Sequence, residues 1–308
     1  MPAAAKWVDP ETTAKGERRA TVDPRKLETL WFNTGTLCNI ECSNCYIESS
    51  PKNNRLEYLK VEEVRAFLHE IKREGLGTRE IGFTGGEPFL NPDMVKMIET
   101  SLEFGHEVLV LTNAMKPLMN RRKELLAVKE KYGVALRMRV SLDHHSSEVH
   151  DKERGKGSFS IALEGLRWLC DNGFSVNVAG RSLTDEPRDS ALAGYQGLFK
   201  GLESDLDSSN ANHLVIFPEM DGSRDFPEIT TDCWEILHKE PANIMCASSR
   251  MVVKRNGDDA PTVQACTLIA YDERFAMGKT LKESWKPVSL VHPSCASFCV
   301  LGGASCST

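Results

Sequence analysis

From Leu27 to about residue 217 the chain alternates short apolar runs with longer stretches in which apolar residues recur every three or four positions. The runs predict strands near 28–35, 80–84, 108–112, 136–141, 174–179 and 214–217. Between them the periodicity predicts helices over 61–71, 92–103, 118–131, 159–172 and 189–200. Val61, Val64, Leu68 and Ile71 share one helical face, with Gly75 just past the end as a stop, and Gly173 closes the fourth helix in the same way. Six strands separated by helices favour a parallel α/β sheet with right-handed crossovers, in which binding sites form at the carboxyl ends of the strands.

The pattern changes on both sides of this region. Residues 1–26 are polar and broken by Pro10 and Pro24, and read as an extension with little core of its own. The alternating region spans 27–220. After it, Asp221-Gly222-Ser223-Arg224-Asp225-Phe226-Pro227 reads as a turn-rich linker into a smaller domain, 221–308, that holds Cys246, Cys266, Cys295, Cys299 and Cys306. A hydrophobic fraction of 41% in 308 residues is ample for a core. The net charge of −6, with both signs dispersed, argues against nucleic acid as a partner and for a small molecule or a peptide. No apolar run is long enough to span a membrane and the start lacks a signal-peptide core, so the expected compartment is the cytoplasm. Cysteines are kept reduced there, and metal binding accounts for their clustering better than disulfides do.

The densest chemistry lies directly after the first strand, where Cys38-x3-Cys42-x2-Cys45 packs three thiols into eight residues. Three thiolates on one loop can hold three corners of an iron-sulfur cube and leave the fourth iron open to a small molecule. A zinc site with a fourth ligand from elsewhere is the other reading of the same residues. Gly85-Gly86-Glu87, Thr112-Asn113, Ser141-Leu142-Asp143 and Gly180-Arg181 also follow predicted strands, so all five stretches are expected on one rim. His144, His145 and His150 lie in a polar stretch and read as a solvated loop. Cys170, Cys233 and Trp168 read as packing residues.

The pair of motifs, the three-cysteine loop after one strand and Gly85-Gly86-Glu87-Pro88 after the next, resembles the radical S-adenosylmethionine superfamily. The resemblance covers roughly residues 28–217 and implies a partial (βα)6 TIM-like barrel. It implies that Cys38, Cys42 and Cys45 bind a [4Fe-4S] cluster whose open iron takes the methionine part of S-adenosylmethionine. One electron, from a reductase or flavodoxin-type donor, would then release a 5'-deoxyadenosyl radical that removes hydrogen from a substrate. In the same comparison Gly85, Gly86 and Glu87 receive the methionine ammonium, Ser141 contacts ribose or carboxylate, and Arg154 pairs with the carboxylate. Thr112 and Asn113 stand at the next strand end, where they touch ligand or make a turn. Asn44 departs from the family, which commonly has an aromatic or histidine before the third cysteine; an asparagine can hydrogen-bond the adenine edge, with Tyr46 offering a ring.

The tail resembles the auxiliary-cluster extension called SPASM, or twitch when shortened. Its residues are Cys246, Gly257, Cys266, the stretch Met277 to Trp285, and Cys295-x3-Cys299-x6-Cys306. Five cysteines suffice for one fully ligated cubane and not for two, so the resemblance implies one auxiliary [4Fe-4S] cluster on Cys246, Cys266, Cys295 and Cys299, with Cys306 able to replace one of them; a structural zinc remains the other reading. The expected activity is hydrogen abstraction from a small metabolite, leading to dehydrogenation, epimerisation or bond formation. Alternatives are a maturase of ribosomally made peptides, a radical transferase or methylase, and a non-enzymatic electron-transfer module.

Overall fold

The computed structural model describes residues 5–183, 186–219 and 224–306. Residues 221–223 of the expected linker lie outside the described residues. A short strand, Thr21–Val22 (β1), precedes Thr29–Asn33 (β2), Val61–Glu74 (α1), Glu80–Thr84 (β3), Met94–Glu103 (α2) and Glu107–Thr112 (β4). Then come Lys116–Met119 (α3), Arg122–Tyr132 (α4), Leu136–Ser141 (β5), Ser147–Arg154 (α5), Ser158–Asp171 (α6), Ser175–Ser182 (β6), Arg188–Gly201 (α7) and Leu214–Pro218 (β7). The last part of the chain adds Cys233–Ile236 (α8), Ser249–Val253 (β8), Thr262–Gln264 (β9), Ala276–Gly278 (β10), Val288–Ser289 (β11) and a π-helical turn over Cys295–Val300.

Strands β2 to β7 are parallel and stand side by side in chain order, as a right-handed succession of crossovers produces. The cysteine-rich part does not start a separate sheet. Its strand β8 pairs parallel with the free side of β2, Thr29 opposite Ser249, and β9 and β10 continue antiparallel. The result is one nine-stranded sheet in the order β10-β9-β8-β2-β3-β4-β5-β6-β7, open between its two end strands.

Helix α1 shows how the pattern becomes packing. Val61, Val64, Phe67, Leu68 and Ile71 are buried, each worth about 1.5–3 kcal/mol when fully removed from water. The carboxylate of Glu63 accepts from the Lys60 backbone N–H at 2.8 Å and closes the N-terminus, while Gly75, in the left-handed region at φ +62°, ends the helix. Lys254 of the tail donates to the other Glu63 oxygen at 2.9 Å and so ties α1 to the residues after β8. The helix expected over 118–131 is broken into α3 and α4 at Asn120-Arg121.

Alternation along the strands sorts their side chains. Leu136, Met138 and Val140 of β5 join the core beneath the helices, whereas Arg139 and Ser141 line the opposite, concave face. Trp31, Leu109, Met251 and Val253 pack together on that face as a smaller apolar cluster with Ile47 and Leu56. A third cluster lies in the tail, and the N-terminal extension belongs to it: Ala20 and Val22 are buried there and β1 pairs with β11. Arg19, fully buried, meets Glu228 at 2.5 Å and anchors the extension.

Candidate active site

The cysteine loop is held by its own backbone and by neighbouring strand ends. Cys38 N–H donates to the Ser50 carbonyl, Glu48 N–H to the Cys45 carbonyl, and the Asn53 amide to the Glu48 carbonyl at 2.8 Å. Ser43 bonds Glu153 at the end of α5 through both its backbone N–H, at 2.9 Å, and its hydroxyl, at 2.6 Å. Cys38, Cys42 and Cys45 all line a single cavity at the carboxyl ends of the strands. Burial pushes the Cys38 thiol up to about 12 and raises that of Cys42, a penalty on the thiolate form that a bound metal would offset. A soft, polycationic group suits such a donor set.

Gly85 and Gly86 line the same cavity, and the close approach they allow is to the cysteine loop itself. A Cβ on Gly86 would stand 2.2 Å from the Leu37 carbonyl oxygen, and Gly86 N–H donates to Gly35 O at 2.8 Å. The Glu87 carboxylate turns away from the cavity. It accepts from Thr112 Oγ1 at 2.8 Å, Asn113 N at 2.8 Å and Phe89 N at 3.2 Å, and burial pushes its carboxyl up to about 7 against those bonds. Glu87 thereby fastens the end of β3 to the end of β4, and the Thr112 hydroxyl is spent on that link and on Ala114 N–H. Asn113 lines the cavity and bonds Asn39 of the cysteine loop at 2.9 Å.

Ser141 and Asn44 line the cavity too. Both amide atoms of Asn44 are buried without a protein partner among the described residues, which leaves one donor group and one acceptor for a ligand. Tyr46 also lines the cavity and stays 38% exposed, so it is not a core residue. Arg154 is there as well, and it is already paired: Nη2 donates to Asp143 Oδ1 at 2.9 Å and Nε lies 2.8 Å from Oδ2. Burial pushes the Asp143 carboxyl up, but the guanidinium outweighs it and holds that carboxyl below its ordinary range. Two things escaped the sequence reading: the pairing of Asp143, which it placed on the rim, with Arg154, and Arg139 in the middle of β5. The signal for the second is legible in retrospect, because a charge at the centre of an inner parallel strand has no solvent to face.

The stretch around His144 is not a solvated loop. His150 is fully buried in α5 against Phe159, and His144 is nearly so. His144 and His145 both place Nε2 3.2 Å from the Glu186 carboxylate. Ser146 N–H donates to His144 Nδ1, so the neutral ring carries its proton on Nε2 and donates a hydrogen bond to Glu186.

Residues of the last third of the chain also line the cavity: Leu268, Phe298 and Cys306, next to Phe217 of β7. Four of the other tail cysteines face elsewhere. Cys246, Cys266, Cys295 and Cys299 line a second, smaller cavity inside the tail cluster, walled by Met245, Phe275 and Leu290. Burial raises all four thiols, Cys246 to about 11 and Cys295 to about 12. Four thiols on one apolar cavity match the donor set of a fully ligated cubane.

A family model for the radical SAM superfamily matches residues 32–191. Among curated proteins, the subtilosin biosynthesis protein AlbA of Bacillus subtilis is 37% identical over 143 residues, 46% of this chain and 30% of AlbA. The Fe-coproporphyrin III synthase of Methanosarcina barkeri is 30% identical over 155 residues, 50% of this chain and 36% of the synthase. The chain thus matches only about a third of the length of these relatives. Among solved structures, Streptococcus suis SuiB bound to S-adenosylmethionine superposes with a TM-score of 0.62 at 12% identity, covering 91% of this chain and 72% of SuiB; SuiB bound to its precursor peptide SuiA gives 0.61 at 12% identity, over 91% and 71%. The likeness to SuiB shows the shared fold, and the family match spans more than half of the chain, including the cysteine loop and the glycine pair at one cavity. The chain belongs to the radical SAM superfamily.

Proposed function

We propose that this chain is a radical enzyme acting on a peptide substrate held between the cysteine loop and the C-terminal third. The observation that carries the reading is the shared cavity, lined by three cysteines of one loop, by four other strand ends and by tail residues Leu268, Phe298 and Cys306. When bound, the cluster and S-adenosylmethionine supply a 5'-deoxyadenosyl radical. The chain's own residues do the rest. Cys38, Cys42 and Cys45 hold the cluster, Asn44 offers hydrogen bonds to the adenine edge, and Gly85 and Gly86 keep the wall thin beside the methionine. Arg154, steadied by Asp143, orients the carboxylate, and the apolar tail wall keeps water from the radical. Residues 221–308 serve as the auxiliary-cluster module, on Cys246, Cys266, Cys295 and Cys299, and a flavodoxin-type protein supplies the electron.

The peptide is favoured over the small metabolite first expected because AlbA acts in the biosynthesis of a bacteriocin and SuiB binds a precursor peptide. The similarity to Fe-coproporphyrin III synthase keeps a small-molecule substrate as the second reading. The test is hydrogen transfer. With reduced, cluster-loaded protein, a deuterated synthetic peptide panel is expected to put deuterium into 5'-deoxyadenosine; label arriving only from small metabolites contradicts the peptide assignment.

A further inference from the structure

Arg139 is a buried cation whose partners are all neutral. It is 1% exposed, at the middle of β5 on the concave face. Nε donates to Asn177 Oδ1 at 2.8 Å and Nη1 to the Cys306 carbonyl at 2.8 Å, which fixes the plane of the guanidinium. Nη2 is buried with no partner among the described residues, and the side chain lines the main cavity. The nearby carboxylates are engaged elsewhere. Glu80 accepts from Arg137 at 2.7 Å, Asp143 is paired with Arg154, and Glu87 points away into the β3–β4 link.

A guanidinium stays charged in a protein, and an unpaired buried charge is strongly unfavourable, so a site that keeps one is built to receive an anion. Arg181, the cavity's other arginine without a carboxylate, also leaves Nη2 buried and unpartnered among the described residues, but its Nη1 donates to the Asn44 carbonyl of the cysteine loop and its charge acts on Asp143 and Cys42, on the cofactor side. Arg139 is bonded to the tail at Cys306, and Phe217, Leu268 and Phe298 line the same cavity. That is the substrate side in the function proposed above, on which this inference rests. We infer that Arg139 receives a carboxylate of the substrate, so that the enzyme selects an acidic substrate and seats the carboxylate against the tail wall. With Nε and Nη1 each held by one hydrogen bond, the guanidinium plane is fixed and the free Nη2 amino group is left to donate to a carboxylate oxygen in one orientation.

The carboxylate can come from an Asp or Glu side chain or from a peptide C-terminus, and the test separates the two. Binding of N-acetylglutamate-α-amide (side-chain carboxylate), N-acetylglutamine (terminal carboxylate) and N-acetylglutamine-α-amide (neutral isostere of both) to anaerobic, cluster-loaded protein with S-adenosylmethionine is measured by calorimetry. One of the two acids is expected to bind at least about tenfold more tightly than the neutral isostere. Arg139→Gln should abolish that preference and Arg139→Lys restore part of it, with iron content matching the wild type in both. Equal binding of acid and isostere by the wild type, or an unchanged preference in Arg139→Gln, overturns the inference. No turnover is needed, so a failed assignment of Arg139 is distinguishable from a failure of the radical chemistry. Should Arg139→Gln not fold, the comparison of the three ligands on the wild type still decides.

Discussion

At the scale of single residues, two positions near the cavity carry their effects through packing. Gly86 allows the second strand end to lie on the backbone of the cysteine loop. Gly86→Ala sets a Cβ against the Leu37 carbonyl, where neither backbone can give way cheaply. This variant is expected to lose most of the iron bound by the cysteine loop while keeping that of the tail, as measured by iron content and Mössbauer spectroscopy. His150 acts through pH. Burial leads the causes that push its imidazole down to about 4, below the ordinary 6.5. The unfolded chain therefore binds the extra proton first, and the stability that neutral His150 contributes is full above about 6.5 and lost as pH falls toward 4. His150→Leu removes this dependence. Relative to the variant, the wild type should lose up to about 1.4 kcal/mol per pH unit between pH 6.5 and 5.5 in anaerobic urea unfolding.

Among the elements, the extension before β2 is the one whose part in the fold was least legible. Polar composition and two prolines hid three buried attachments: Ala20, Val22 and the Arg19–Glu228 pair, which joins residues 209 positions apart. Glu228 also accepts from Trp7 N at 2.8 Å and Ala14 N at 2.7 Å, so the carboxylate organises the whole extension. Arg19→Met leaves that carboxylate buried and without its cation, and should cost about 3–5 kcal/mol in urea unfolding. The strands and most helices of the alternating region were legible because local periodicity states them directly. The break between α3 and α4 and the helix α5 were not, since short polar helices bury few residues and leave no long stripe to read. At the cavity, strand-end placement located the cysteine loop, the glycine pair and Ser141. It could not show that Glu87 bonds inward, that Arg154 is paired with Asp143, or that Arg139 is left without a carboxylate, because those facts depend on which distant side chains meet.

For the whole molecule, the sheet explains how two cysteine sets come to share one frame. The strand that follows Cys246 pairs directly with the strand that leads into the cysteine loop, so both cavities sit at fixed positions relative to β2. Among the described residues no helix is long and apolar enough to cross a membrane. The division of labour among the tail cysteines gives a clear expectation for iron. Cys299→Ala should lose about four irons per chain out of about eight, one cubane's worth, whereas Cys306→Ala, facing the main cavity, should retain all of them. The central claim concerns the three-cysteine loop, and reductive cleavage of S-adenosylmethionine tests it most directly. Reconstituted anaerobically and reduced with dithionite, the wild type should convert S-adenosylmethionine to 5'-deoxyadenosine and methionine, and Cys42→Ala should form none. A fully iron-loaded wild type that leaves S-adenosylmethionine intact, or a Cys42→Ala variant that cleaves it as well as the wild type does, contradicts the account.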